Sequence, residues 1–349
     1  ATNSVGTGSA SAASNAATPY TLKRVTYTST SDASGSVPVD SIYYIPGSIV
    51  TVLGNTGTLA RTGYSFAGWS NGSTTYQAGN TFSISDNTTL AALWTAKTDI
   101  PYKIMHYLMP VNGSTHVVDE TLTESLTGTT ASTVSTTGHV KDITGFTQNK
   151  SLGTSSTTLA ADGSTVLSIY YDRVEYAVRF NDFDGQEIVT QKVRYGADAT
   201  SPTQPSRTGY DFSSWNGTYT TITGDTVITA VYTPKTNTAY KVEHYLQTLD
   251  ASGYTLQETE NLTGTTDTTA YAVAKAYTGF HENSSVSGRI ASGSISGTGS
   301  TILKLYYDRD SYTVKFDPDN GSGPTEQTIR FQADASPPAT PLKTGYTFS

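Results

Sequence analysis

The sequence predicts a mostly β protein that is built as a tandem array of small modules. Tyrosine is abundant, with 24 residues, and it recurs in short runs of alternating apolar and polar residues. Charged residues make up only 14% of the chain, and polar turn residues separate the runs. Alternation of this kind is typical of half-buried β-strands. Long phrases also recur at a fixed spacing, which is the signature of a repeat architecture.

The first repeated phrase defines one module type, called A. It reads RTGYSFAGW at Arg61–Trp69, RTGYDFSSW at Arg207–Trp215 and KTGYTFS at Lys343–Ser349. The third copy lacks the Trp and the closing strand of the other two, and a β module without half of its strands does not cover its core. We therefore expect the chain to be a piece of a longer array; the alternative is that another chain supplies the missing strands.

Two further phrases define a second module type, called B, which alternates with A. One begins the module and reads YKIMHYL at Tyr102–Leu108 and YKVEHYL at Tyr240–Leu246; the other ends it and reads YYDR. The predicted organisation is a flexible Ala/Ser/Thr-rich leader at 1–19, followed by modules A1 (20–98), B1 (99–173), A2 (174–236), B2 (237–309) and a partial A3 (310–349). The joints between modules are short, so we expect a semi-rigid, elongated rod.

Modules A2 and A3 begin with an alternating strand, YAVRF at Tyr176–Phe180 and YTVKF at Tyr312–Phe316. Asp184-Gly185 then supplies a hairpin turn, because glycine adopts positive φ without strain. In the later GYxF phrase the Trp lies three residues beyond the Phe, which breaks the period of two. A bulge at Ala67-Gly68, and at the matching Ser-Ser pair of A2, would return the Trp to the core.

Each B module begins with a strand whose inner face carries a histidine. His106 and His244 lie at equivalent apolar positions, and we expect both to be core residues with one hydrogen-bond partner. Tyr107 and Tyr245 point outward on the same strands, which makes them candidates for contact with a ligand such as a sugar. The middle of the module, Thr265–Tyr277 in B2, is compatible with a short helix or a strand, and the first copy favours strand and turn.

The A phrase resembles the Listeria–Bacteroides repeat, the B-repeat type of internalin-like surface proteins. The matching residues in A1 are Tyr64, Phe66, Gly68, Trp69 and Trp94. A2 departs from the pattern, because Ser214 replaces the glycine and Tyr232 the last tryptophan.

Module B resembles the MucBP-like (mucin-binding-protein) repeats, through its opening YKVxHYL phrase, the LTGTT stretch at Leu126–Thr130 and Leu262–Thr266, and the closing YYDR. Together the two resemblances cover nearly the whole chain after Tyr20. They imply β-grasp-like modules in a secreted or wall-attached adhesin or stalk, and they do not establish a ligand.

The composition argues against several functions. The net charge of −8 without basic clusters argues against nucleic acid as a partner. No stretch of 18 apolar residues is present, so no membrane insertion is expected in this segment. There is no cysteine, and no nucleophile or phosphate-binding motif. We therefore expect no enzyme activity, no catalytic residues, no bound metal and no cofactor.

Three hypotheses remain from the sequence. The first is a repetitive extracellular stalk or spacer of a cell-surface adhesin, attached to the cell surface or cell wall. The second is a set of adhesive repeats whose B modules bind host or matrix glycans or mucin. The third is a surface filament whose subunits self-associate by strand exchange.

Overall fold

The computed structural model describes residues 2–10, 12–13 and 19–349. This part of the chain contains β-strands and no helix, so nothing in it offers the long apolar helix that crosses a membrane. It forms two compact units, Ala1–Val174 and Glu175–Ser349. The predicted leader, Ala1–Pro19, lies partly outside the described residues, and its described part contains a short antiparallel pair, β1 (Thr2–Asn3) and β2 (Gly6–Thr7).

Module A1 is a four-stranded sheet with a small second ribbon. The strands of A1 are β3 (Val25–Thr28), β4 (Ile49–Thr51), β5 (Tyr64–Ser70), β6 (Thr75–Tyr76), β7 (Thr81–Ser83) and β8 (Thr88–Ala96). The sheet order is β3-β8-β5-β6, with β3 parallel to β8 and β5 antiparallel to it, while β4 pairs with β7. The apolar residues of both layers enclose one core.

Module B1 also has a mixed sheet, in which the first strand lies parallel to the last. The strands of B1 are β9 (Ile100–Leu108), β10 (Val117–Val118), β11 (Glu124–Gly128), β12 (Thr133–Ser135), β13 (Phe146–Gln148), β14 (Ser156–Thr158) and β15 (Val166–Arg173). Strand β9 is parallel to β15, β13 is antiparallel to β15, and β10 and β11 both pair with the outer edge of β9. Strands β12 and β14 form the second ribbon.

The second unit contains modules A2 and B2 and the partial A3. The strands of A2 are β16 (Glu175–Asn181), β17 (Glu187–Arg194), β18 (Tyr210–Asn216) and β19 (Thr226–Pro234). The strands of B2 are β20 (Thr238–Gln247), β21 (Tyr254–Gly264), β22 (Thr269–Tyr271), β23 (Phe280–Glu282), β24 (Ser292–Ser294) and β25 (Ile302–Arg309). The partial A3 has only the hairpin of β26 (Ser311–Phe316) and β27 (Thr325–Arg330).

All four complete modules share one sheet topology. The first strand of each module lies parallel to the last strand. A third strand, which follows a Thr-Gly-aromatic turn, lies antiparallel to the last strand on the side opposite the first strand. The turn glycine has a φ of 74° at Gly63, 80° at Gly145, 82° at Gly209 and 75° at Gly279. Only glycine adopts this left-handed conformation freely. The same Thr-Gly turn is therefore present in both module types.

The tryptophans of the A phrase return to the core through bulges, as the sequence predicted. The pairing register of β5 shifts between Phe66 and Gly68, and that of β18 between Phe212 and Ser214. Trp69 is then completely buried, and Trp215 packs against the core of A2. In the middle of module B the short strand β22 is present and no helix forms, which confirms the interpretation as strand and turn.

Candidate functional site at the joint between modules A and B

The joint from A to B joins two of the repeated phrases. The carbonyl oxygen of Gly63, in the Thr-Gly turn of A1, accepts the N–H of Lys97, which follows the last strand of that module, at 2.9 Å. The same carbonyl accepts the Oγ1–H of Thr130, which ends the LTGTT stretch of B1, at 2.6 Å. Thr130 also donates its N–H to the carbonyl of Lys97 at 2.9 Å. Three hydrogen bonds thus close the joint.

The second unit contains the same joint, residue for residue. Gly209 accepts the N–H of Lys235 at 2.9 Å and the Oγ1–H of Thr266 at 2.8 Å, and Thr266 donates its N–H to Lys235 at 2.9 Å. The threonine is 1% exposed here and its counterpart in B1 is 5% exposed. A buried polar group is held firmly by its hydrogen bonds, because water does not compete for them.

The turn glycines leave no room for a side chain. A Cβ atom on Gly209 would lie 2.3 Å from the Cα atom of Gly297 in B2, and one on Gly63 would lie 2.7 Å from the Cβ atom of Ala161 in B1. The B module therefore packs directly on the backbone of the Thr-Gly turn. In the second unit the hydroxyl of Tyr210 adds a hydrogen bond to the carboxylate of Asp267.

The joint from B2 to A3 keeps the two backbone hydrogen bonds of the joint from A to B but uses a different side chain. Gly279 of the B2 turn accepts the N–H of Asp310 at 2.8 Å, and its Cβ position is occupied by the ring of Phe331. The N–H of Phe331 donates to the carbonyl of Asp310 at 2.8 Å, and Arg309 Nη1 donates to the carbonyl of Phe331 at 3.0 Å. An aromatic side chain here replaces the threonine of the joint from A to B.

Each B module also contains a buried polar network around the histidine of its first strand. Both His106 and His244 are completely buried, as their strand positions predicted. In B2, His244 Nδ1 lies 2.9 Å from the hydroxyl of Tyr307, and its Nε2 lies 2.7 Å from a carboxylate oxygen of Glu260. The backbone N–H of Lys275 donates to the same tyrosine hydroxyl at 3.0 Å.

In B1 the corresponding network is looser and carries a second histidine. His106 Nδ1 lies 3.0 Å from the hydroxyl of Tyr171, whereas its Nε2 is 3.4 Å from Glu124. The carboxylate of Glu124 also pairs with Lys141 at 3.0 Å and with His139 at 2.9 Å. The prediction of a single partner therefore describes His106 and underestimates His244, because a strand pattern does not show which acidic side chain the next strand brings opposite.

We predict that B1 loses stability as the pH falls below about 6.5. Burial lowers the pKa of His106, so the unfolded state binds the extra proton first, below the ordinary histidine pKa of about 6.5. Hydrogen bonds from Lys141 and His139 lower the pKa of Glu124 to about 2. The stability that Glu124 contributes is therefore lost only on further acidification, below the pKa of this carboxyl group in the unfolded state. Hydrogen exchange of the β9 amides in the whole chain, measured from pH 7 to pH 5, reports the first loss.

The matched control for this pH dependence is His281, whose side chain is 62% exposed beside Asp310. We expect His106→Gln to remove most of the pH dependence of β9 protection and His281→Gln to leave it unchanged. An unchanged slope in the His106 variant would show that other groups carry it.

The two tyrosines that the sequence selected lie at equivalent places on the outer faces of the B sheets. Tyr107 stacks on Tyr170 with ring centroids 4.7 Å apart and an interplanar angle of 11°, and Tyr245 stacks on Tyr306 at 5.0 Å and 18°. All four rings are half-buried. A hydrogen bond to Glu243 is the main cause that raises the pKa of Tyr245 to about 12, so this hydroxyl stays protonated at physiological pH.

A third side chain packs edge-on against each tyrosine stack. In B1 it is His116, with its ring 5.2 Å from that of Tyr170 and its Nε2 2.7 Å from Asp172. In B2 the matching contacts are made by Tyr254, with its ring 5.0 Å from Tyr306 and its hydroxyl 2.5 Å from Asp308. The two B modules thus keep the same contacts with different residues.

The residues of the joint between A and B were not predicted from the sequence. It recognised the Thr-Gly-Tyr and LTGTT phrases as repeats, but it did not pair them. One signal was available: each phrase occurs once in every A–B pair, and neither Gly63 nor Thr130 is needed for the alternating pattern of a strand. Residues that repeat without a role in the strand pattern are candidates for contacts between modules.

Comparison with known proteins gives a match to a family model and a distant likeness to solved structures. The model of the Listeria-Bacteroides repeat domain matches residues 24–93, 176–240 and 312–349. Among curated proteins, none matches the chain significantly. A solved structure, the Bacillus anthracis TIE protein, aligns with 11% identity and a TM-score of 0.26 over 68% of this chain; the match spans 55% of that protein.

The three matched segments overlap the predicted modules A1, A2 and A3, and the second segment extends to residue 240, beyond the predicted end of A2. Repeats of this type occur in bacterial surface or extracellular proteins. The structural alignment is too weak to support an argument. The chain therefore carries three Listeria-Bacteroides repeat segments, which alternate with the B modules.

Proposed function

We propose that this chain is the stalk of a bacterial surface adhesin, a semi-rigid spacer that holds another part of the protein away from the cell. The observation that carries the proposal is the joint between A and B, which has the same three hydrogen bonds in both units. A binding site needs to be built only once, whereas a spacer needs each joint to hold the same angle. The proposal includes two further points. The B modules are MucBP-like repeats, and each module has a β-grasp-like fold.

The test is the rigidity of one joint. The chain has no cysteine, so spin labels at Ser73→Cys in A1 and Ser151→Cys in B1 are the only thiol labels present. We expect a narrow distance distribution in the parent protein. Thr130→Val removes the hydroxyl that donates to Gly63 and should broaden the distribution, because a lost buried hydrogen bond costs about 1 kcal/mol or more.

Thr130→Ser is the matched control, because it keeps the hydroxyl and should keep the narrow distribution. A broad distribution in the parent protein would contradict the spacer, since flexible joints do not hold a tip at a fixed distance. A narrow distribution in all three proteins would show that packing on Gly63 holds the joint without the hydroxyl.

A second candidate function is the binding of host or matrix glycans or mucin by the B modules. The observation that favours it is the tyrosine stack at the same place in B1 and B2, since aromatic rings provide platforms for apolar sugar faces. We expect the Tyr107→Ala/Tyr245→Ala double variant to lose binding of immobilised mucin. Tyr271→Ala, which removes a 70% exposed tyrosine elsewhere in B2, is the control. Absence of binding by the parent protein would rule out this second candidate.

A further inference from the structure

Module A1 leaves one edge of its sheet unpaired, although the module is complete. Strand β3 pairs with β8 on one side. On the other side a ladder begins, because Lys23 and Tyr44 exchange both backbone hydrogen bonds at 2.8 Å. It then stops. By the alternation of strand peptide groups, those of Val25 and Tyr27 face the same edge as those of Lys23, and no described residue pairs with them there.

In module A2 the same edge is fully paired. Strand β17 lies antiparallel along β16, with Gln191 opposite Val178 and Val189 opposite Phe180. These two residues of β16 correspond to Val25 and Tyr27 of β3. The alignment follows from the residue that precedes Val25 or Val178, because Asn87 accepts its N–H in A1 and Asp225 accepts its N–H in A2. The chain itself therefore shows which kind of segment fits this edge.

Local hydrogen bonding keeps the corresponding segment of A1 away from β3. The carboxylate of Asp40 accepts the N–H of Ile42 at 2.9 Å and the hydroxyl of Tyr44 at 3.0 Å. A side chain that bonds its own backbone two residues on forms a turn in competition with a ladder. Pro38 and Pro46 flank this turn, and proline has no N–H to give to a strand.

The result is a groove of about 430 Å³ between β3 and the segment Val37–Tyr43. Its floor is the edge of β3, where Val25 and Tyr27 are each 4% exposed, whereas Val178 and Phe180 are 0% exposed beneath β17. Its lip carries exposed apolar side chains, with Val39 84%, Tyr43 66% and Ile42 57% exposed. Unpaired backbone groups beside an apolar lip make a favourable site for an added strand.

We propose that this groove, the β3 groove, binds an extended polypeptide segment from another protein, which adds to β3 as an antiparallel strand with apolar residues at alternate positions. The backbone of Val25 and Tyr27 supplies the hydrogen bonds, and the lip residue Ile42 contacts the alternate side chains. The motif of the bound segment follows from β17, which fills this position in A2 with EIVTQKVR.

The test uses a labelled, end-blocked peptide with the sequence EIVTQK (residues 187–192) and the whole 349-residue chain. We expect saturable binding by fluorescence anisotropy and slower hydrogen exchange at the Val25 and Tyr27 amides. N-methylation at Val189 and Gln191, whose amides face β16 in A2, should weaken binding about tenfold or more, because two hydrogen bonds are lost. N-methylation at Thr190 and Lys192, on the opposite edge of the peptide, should change it little.

Variants of the protein locate the site. Ile42→Asp places a charge on the lip and should weaken binding about tenfold, whereas Ile49→Asp, at a 62% exposed residue of the same module outside the groove, should not. No binding, or equal loss with both variants, would overturn the proposal. So would dimerisation of the parent chain that Ile42→Asp abolishes, because the occupant would then be a second copy.

Discussion

Gly209→Ala is expected to destabilise the joint between A2 and B2 by about 2 kcal/mol or more. A residue with a Cβ pays about 1–2 kcal/mol for the left-handed conformation that this turn requires. The new methyl group would also lie 2.3 Å from the backbone of Gly297, a contact that only a shift of the B2 loop can relieve. Because backbone is displaced, the hydrogen bond from Thr266 to residue 209 should be lost as well.

A matched control separates the joint from the turn. Gly345 has a φ of 80° in the third copy of the Thr-Gly-Tyr phrase, and nothing lies within 4 Å of its Cβ position. Gly345→Ala therefore bears only the conformational cost. The measurement is urea denaturation of both variants, together with hydrogen exchange of the Thr266 amide. Equal effects of the two substitutions would contradict the claim that B2 packs on the turn.

Trp69→Ala is expected to reduce the stability of module A1 by about 3–5 kcal/mol, the range for deletion of a buried large aromatic side chain. Trp69 is completely buried, and its ring packs edge-on against Tyr27 at 4.7 Å and Phe66 at 5.1 Å. Its Nε1–H donates to the carbonyl of Leu53 at 2.9 Å, so truncation also leaves a carbonyl without this partner.

Two further substitutions divide this effect into its parts. Trp69→Phe keeps most of the apolar contact and should cost less, because the hydrogen bond to Leu53 contributes about 1 kcal/mol. Trp215→Ala, at the same position of A2, should also cost less, because that side chain is only partly buried. The measurement is thermal unfolding followed by tryptophan fluorescence and hydrogen exchange of β5. A larger loss from Trp215→Ala than from Trp69→Ala would show that the two cores are not related as the repeat implies.

The local features of this protein could be predicted from its sequence. The repeated phrases located the modules, since a repeat is visible without any structure. The period of two placed His106 and His244 inside and Tyr107 and Tyr245 outside, because successive side chains of a strand face opposite sides. The broken period in the GYxFxxW phrase even located the bulge that returns Trp69 to the core.

The contacts between different phrases become visible only in the folded modules. The pairing of Gly63 with Thr130, and of Gly209 with Thr266, joins residues in different modules, and local periodicity carries no information about such contacts. The common sheet topology of A and B could not be predicted from the repeated phrases either, because the parallel pairing of the first and last strands depends on the whole module. The unpaired edge of β3 depends on one turn at Asp40 that competes with strand pairing. The effect of this turn becomes visible only by comparison with A2, where β17 pairs along the same edge of β16.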